Sequence, residues 1–109
     1  MTPMYRLVIT ETAESDIAAV LEWFRTQRAS AAGGRWFNQL LSRLDTLEQH
    51  PDRCPMAAES NRIGQEIREL LFGRRRFKYR ILFRIKRSTV EILRVWHCSR
   101  NDIPPTDIE

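Results

Sequence analysis

Basic side chains crowd the second half of this 109-residue chain. Residues 61–100 hold twelve Lys or Arg and only three acids, Glu66, Glu69 and Glu91. Within that stretch, the run from Phe77 to Lys86 alternates in type. Successive residues of a strand point to opposite faces. Phe77, Tyr79, Ile81, Phe83 and Ile85 therefore share one face, and Lys78, Arg80, Leu82, Arg84 and Lys86 share the other. The first face must lie against a core. The second is basic at four of five positions, whereas a merely solvated face usually mixes signs. The pattern predicts an anion-binding surface, with nucleic acid the largest class of candidate partner. Arg68 and Arg94, on the flanking strands, could extend it. Sixteen of the 18 basic residues are Arg. A GC-rich genome explains that bias as well as a need for bidentate phosphate or carboxylate contacts does.

His97 and Arg100 stand near this surface. An imidazole titrates near neutrality and suits general acid or base work. The simpler expectation for His97 is a strand-end histidine that hydrogen-bonds the backbone. Arg100 could bind phosphate or cap the sheet. Cys98 lies among basic groups that can lower a thiol pKa, but a plain thiol is the simpler expectation. His50, just before Pro51, would complement a helix C-terminus. Two cysteines, Cys54 and Cys98, make no disulfide framework and read as reduced thiols of a cytosolic protein. No second metal-ligand pair accompanies His97-Cys98, so no zinc site is expected. Neither a Gly-rich phosphate loop nor a Ser-His-Asp spacing is present, and no cofactor is expected. The longest apolar run, Ile17 to Leu21, is far short of the roughly 20 residues a membrane span requires. The N-terminus lacks the basic-then-apolar pattern of a secretory signal. The expectation is a cytoplasmic protein with no membrane partner.

The charge is segregated along the chain. Residues 1–60 carry six Arg against eight acids, and residues 61–109 carry ten Arg and two Lys against six acids. The overall +4 is thus a half at −2 beside a half at +6. The elements that must position the basic half follow from periodicity. Tyr5 to Thr10 reads as a strand. Thr10 then caps a helix over residues 11–28, with Glu11, Glu14 and Asp16 complementing its dipole and Ala13, Ile17, Val20, Leu21 and Phe24 forming its apolar stripe. A second helix runs from about Ser30, with Trp36, Phe37, Leu40, Leu41, Leu44 and Leu47 inward, until Pro51 stops it. Trp23 and Trp36 read as packing residues. Residues 51–65 read as a loop. Ile67–Phe72, Phe77–Ile85 and Val90–His97 read as strands, with turns at Arg74-Arg75-Arg76 and Lys86-Arg87-Ser88.

In the last strand, Val90, Ile92, Arg94 and Trp96 share one parity, and Glu91, Leu93, Val95 and His97 the other, unless a bulge intervenes. Both sets are largely apolar, which places this strand centrally. The tail 101–109, with Pro104-Pro105, should be extended or frayed. The sum is one α+β domain over residues 1–109: an N-terminal edge strand, an antiparallel helical hairpin covering one sheet face, and a three-stranded antiparallel meander.

This order and several segments resemble the RelE/ParE superfamily of bacterial toxins. The segments are Leu7-Val8-Ile9-Thr10-Glu11-Thr12-Ala13-Glu14-Ser15-Asp16-Ile17, Leu47-Glu48-Gln49-His50-Pro51, Ile67-Arg68-Glu69-Leu70, Tyr79-Arg80-Ile81-Leu82-Phe83-Arg84-Ile85, and Val90 to His97 with Arg100. The resemblance implies the toxin of a type II toxin–antitoxin system, held in a hetero-oligomer by a cognate antitoxin from the same operon. The superfamily has two principal targets. RelE-like members cleave mRNA on the ribosome, and that chemistry would fall here to Arg80, His97 and Arg100. ParE-like members inhibit DNA gyrase. Residues 98–109 contain no Tyr and the tail is not basic, while Leu93 to Arg100 and the long hairpin look closer to the ParE side. The implied reading is a non-catalytic gyrase inhibitor, with Arg68, Lys78, Arg80 and Arg84 supplying a positive field and His97 and Arg100 marking its edge. A non-toxic nucleic-acid-binding module is the third alternative.

An apolar groove beside the hairpin and a bare sheet edge would suit an acidic antitoxin segment, as a docked helix or an added strand.

Overall fold

Thr10 is the residue from which the fold is most easily understood. The computed structural model describes residues 4–74 and 77–100. In it, strand β1 (Arg6–Ile9) passes through Thr10 into helix α1 (Glu11–Thr26). The Thr10 hydroxyl accepts from the Ala13 N–H at 3.2 Å, so it caps the helix. The same hydroxyl donates to the Ile92 carbonyl at 2.8 Å, so the cap also fastens the helix to the last strand.

Helix α2 (Ser30–Thr46) returns antiparallel to α1. The two approach closely at Gly33, where a Cβ would lie 3.0 Å from Phe24 Cβ. Helix α2 ends at Thr46, before Pro51 is reached. The proline instead opens a 3-10 turn (Pro51–Arg53) after His50, which takes a left-handed conformation. The stretch expected as loop also folds a short helix, α3 (Glu59–Ile63).

Strands β2 (Arg68–Phe72), β3 (Tyr79–Lys86) and β4 (Thr89–His97) form the antiparallel meander. The sheet order is β1-β4-β3-β2, with β1 parallel to β4 at one edge. The edge position of the first strand and the central position of the last are as the sequence predicts. Phe77 is not part of β3. It lies in the turn ahead of it, exposed. Arg75 and Arg76 of that turn, and the tail 101–109, lie outside the described residues.

The helices cover one face of the sheet. Ile17, Phe24, Trp36, Leu40 and Leu44 pack there on Tyr79, Ile81 and Phe83, together with Val90, Ile92 and Val95. A bulge in β4 breaks the simple alternation: Leu82 pairs with Arg94 and Phe83 with Ile92, leaving Leu93 as the extra residue. The parity of β4 therefore changes across it. Val95 joins Val90 and Ile92 on the helix face, while Leu93 and Trp96 join Leu82 on the other. The bulge is also where α1 docks. Asp16 accepts from the Val95 N–H at 3.0 Å and takes both Nε and Nη2 of Arg94, at 2.7 and 2.8 Å. Asp16 thus acts as a tertiary clamp for β4, a role beyond complementing its own helix dipole.

Candidate functional site

The alternation in β3 holds, but the basic face is not open. Ala57, Ile67, Leu82, Leu93 and Trp96 form a second, smaller core on it, with Ile63 of α3 packed alongside. The segment between α2 and β2 folds back over that face to make this core. Met56 bridges to Arg68, the Ala57 N–H donates to the Ile67 carbonyl, and the Glu69 N–H donates to that of Pro55.

The arginines on this face are engaged by that segment and its neighbours. Arg80 is only 8% exposed. Its Nη1 and Nη2 donate to the two carboxylate oxygens of Glu59 at 2.9 and 2.5 Å, and its Nε donates to Glu69. Hydrogen bonding to Glu59, foremost, raises the Arg80 pKa and holds the guanidinium charged. Glu59 itself is fully buried. Arg84 donates to Gln65 at 3.0 Å and Glu91 at 3.2 Å. Arg68 donates to the carbonyls of Asp52 and Cys54. Of the basic residues expected to form an exposed surface here, Lys78 and Lys86 are exposed, Arg84 is half-buried and Arg80 is sequestered. The failure has a local cause. The loop's Pro, Asn and Gly signals mask a segment whose few apolar residues and one carboxylate fit the sheet.

An open surface lies on the other side, at the end of β4. Here Ala19, Val20 and Trp23 of α1 face Phe77, Tyr79 and Val95 across a groove of about 390 Å³. Trp23 is 48% exposed and Phe77 is 52% exposed. A row of ring contacts leads inward from Trp23 to Phe24, then Trp36, Tyr79 and His97, with successive centroids 4.9–6.4 Å apart. Rings at these separations form favourable pairs.

Asp16, His97, Ser99 and Arg100 complete the rim. His97 Nδ1 accepts from the Ser99 N–H at 3.0 Å and lies 2.6 Å from Ser99 Oγ. A ring nitrogen that accepts a backbone N–H carries no proton there, so neutral His97 has its proton on Nε2. Arg100 stacks over the Trp96 ring at 3.6 Å, and Arg94 lies 4.7 Å from the same ring. His97 and Arg100 are therefore neighbours on the groove, while Arg80 lies on the sheet face away from α1 and α2, bound to Glu59 of α3 and to Glu69.

Trp23 and Phe77 are the groove residues that sequence reasoning missed. Trp23 falls off the α1 stripe, a signal that it is not core. Phe77 kept the right parity for burial but precedes the strand. Burial raises the Tyr79 pKa, and partial desolvation pushes the Cys98 thiol up. Cys54 is buried and its thiol is raised in the same way. Both cysteines are free. Among the described residues, no helix is long and apolar enough to cross a membrane.

Comparison with known proteins agrees with this architecture. A chain of the chromosomal ParDE toxin–antitoxin system from P. aeruginosa shares the fold with a TM-score of 0.68 at 20% identity, over 86% of this chain and 96% of that one. No curated protein matches significantly. The family described as the ParE toxin of the type II toxin–antitoxin system, parDE, matches residues 7–102, so this chain belongs to the ParE toxin family.

Proposed function

We propose that this ParE-family toxin acts by binding rather than by catalysis, that its target is DNA gyrase, and that a cognate antitoxin silences it by filling the groove beside α1. The observation that carries the reading is the groove itself, an open apolar wall bearing Trp23 and Phe77 beside Arg100. Half-exposed aromatics are typical anchors for a protein partner. Arg100 on the rim, with Asp16 already paired to Arg94, suits an acidic antitoxin segment.

The six residues expected at the target surface divide into two sets. Lys78 and Arg100 are exposed and His97 is half-buried, and these three are the proposed contacts. Arg68, Arg80 and Arg84 act through the covering segment that they hold. A ribonuclease built on Arg80, His97 and Arg100 would need a guanidinium free to meet developing charge on a phosphate. The pairing of Arg80 with Glu59 and Glu69 argues against that.

Two parallel assays test the proposal. Purified toxin should block ATP-dependent supercoiling of relaxed plasmid by gyrase and should leave mRNA on programmed ribosomes uncut. Cleaved mRNA with unaffected supercoiling would overturn it. Neither effect, together with growth unaffected by overexpression, would leave the non-toxic nucleic-acid-binding alternative.

A further inference from the structure

The arginines on the sheet's covered face are all engaged, but three others converge, unengaged, on a second surface. Helix α2 presents Arg35, Asn38, Gln39, Ser42 and Arg43 along one side, at the i, i+3, i+4, i+7 and i+8 positions that share a helix face. The β2–β3 turn brings Arg74 against them. Together they bound a trough made of two adjoining hollows of about 380 and 280 Å³, which share Gln39, Gly73 and Arg74. Gly73 fixes the placement of Arg74. Its φ is +94°, and a Cβ there would lie 2.1 Å from the Phe77 carbonyl oxygen.

Among the described residues, no acidic side chain lines either hollow. Arg35, Arg43 and Arg74 form no ion pair or side-chain hydrogen bond among the described residues. Trp36, in the wall, has a buried indole N–H with no acceptor among the described residues. The Arg43 end of the surface is therefore polar, and Arg35, Arg43 and Arg74 give the whole trough a net positive charge. Arg35 and Arg43 are eight residues apart in the helix, about 12 Å along its axis.

We infer that this trough binds the sugar–phosphate backbone of DNA. Arg, Asn, Gln and Ser side chains are the usual phosphate-contacting set. A protein segment would need apolar anchoring along the whole trough; Phe24, Ala32, Trp36 and Phe77 offer it at the Arg35 end, but the Arg43 end is lined mainly by polar groups. The apolar groove at α1 supplies anchoring of that kind instead. The toxin would thus have two surfaces that meet at Phe77, one for protein and one for nucleic acid. The inference does not depend on gyrase being the target.

The test is fluorescence anisotropy with a short labelled DNA duplex of mixed sequence, titrated with the full-length toxin between 50 and 200 mM salt. Affinity should fall steeply with salt. The combined variant Arg35→Gln, Arg43→Gln, Arg74→Gln should bind at least tenfold more weakly. Its slope of log K against log salt should be shallower by about 2 to 3, since each phosphate contact contributes roughly 0.9. A control, Arg6→Gln, Lys86→Gln, Arg87→Gln, removes as many charges from exposed positions elsewhere and should change affinity less than twofold. Gln39→Arg should tighten binding. All seven substituted positions are exposed, and unchanged melting temperatures establish that the variants are folded. Equal losses in both triple variants would overturn the inference, because net charge alone would then explain binding. So would undetectable binding at 50 mM salt, or displacement of DNA from the trough by a poly-glutamate peptide at lower concentration than by unlabelled duplex.

Discussion

Replacing Arg80 separates a structural role from a chemical one. Arg80→Leu leaves the Glu59 carboxylate fully buried and without its two guanidinium hydrogen bonds, which measure 2.9 and 2.5 Å. It also removes the guanidinium from Glu69, whose side chain is 22% exposed and can turn to water. Breaking a buried ion pair from one side costs about 3–5 kcal/mol, because the remaining charge is stranded. At about 4 °C per kcal/mol, the melting temperature should drop by roughly 12–20 °C. A domain of this size has only about 5–15 kcal/mol in total.

The paired variant Arg80→Leu, Glu59→Leu removes both charges and should recover at least about 2 kcal/mol of that loss, since well-packed apolar replacements of buried pairs are often neutral. Urea unfolding followed by tryptophan fluorescence measures both, with buried Trp96 in the adjoining core as a natural reporter. The double variant should still arrest growth. A loss below about 1 kcal/mol for Arg80→Leu would refute the clamp. A stable double variant with no toxicity would return Arg80 to the target-contacting set.

Three other outcomes follow from the same geometry. Trp23→Ala and Phe77→Ala together should leave stability within about 1 kcal/mol, since both are half-exposed, yet weaken antitoxin binding at least about 30-fold if they anchor it; isothermal titration measures the second quantity and a thermal melt the first. Gly73→Ala should destabilise by about 2 kcal/mol or more, because an L residue at φ +94° is strained and its Cβ meets the Phe77 carbonyl; denaturant midpoints check this. Tyr79 has a pKa raised by burial. Its contribution is therefore full below the unfolded value of about 10 and is lost as pH rises through the higher folded value. Stability curves above pH 10 should fall less steeply for Tyr79→Phe than for the parent protein.

Much of the architecture was legible because it follows from local physics. Thr10 followed by helical spacing predicts a capped helix, and alternation from Phe77 to Ile85 predicts a strand, which forms two residues later, at Tyr79–Lys86. Both hold, since capping and pleat geometry are decided within a few residues. Pro51 predicts a longer second helix than the one that forms, since the backbone leaves the helix at Thr46. The β4 bulge could be anticipated as a possibility but not located. What fixes it is the pairing of α1 with β4, through Thr10 and Asp16.

The site was less legible. Which residues of β3 share a face is a property of the strand alone, and the alternation placed Arg80, Leu82 and Arg84 together correctly. Whether that face is open depends on a segment some twenty residues earlier in the chain, and its turn-forming composition gives no sign of where it packs. Glu59 looks like any loop carboxylate until α3 brings it to Arg80, where burial makes the pair obligatory for both charges. The groove escaped for the opposite reason: Trp23 and Phe77 are apolar, and only the assembled packing decides which apolar residues are left outside. The sequence by itself determined the elements, their order and the segregation of charge, because these rest on periodicity and composition. The tertiary structure decided which cations are neutralised by partners and which remain free to bind, because charge pairing acts between residues that only the fold brings together.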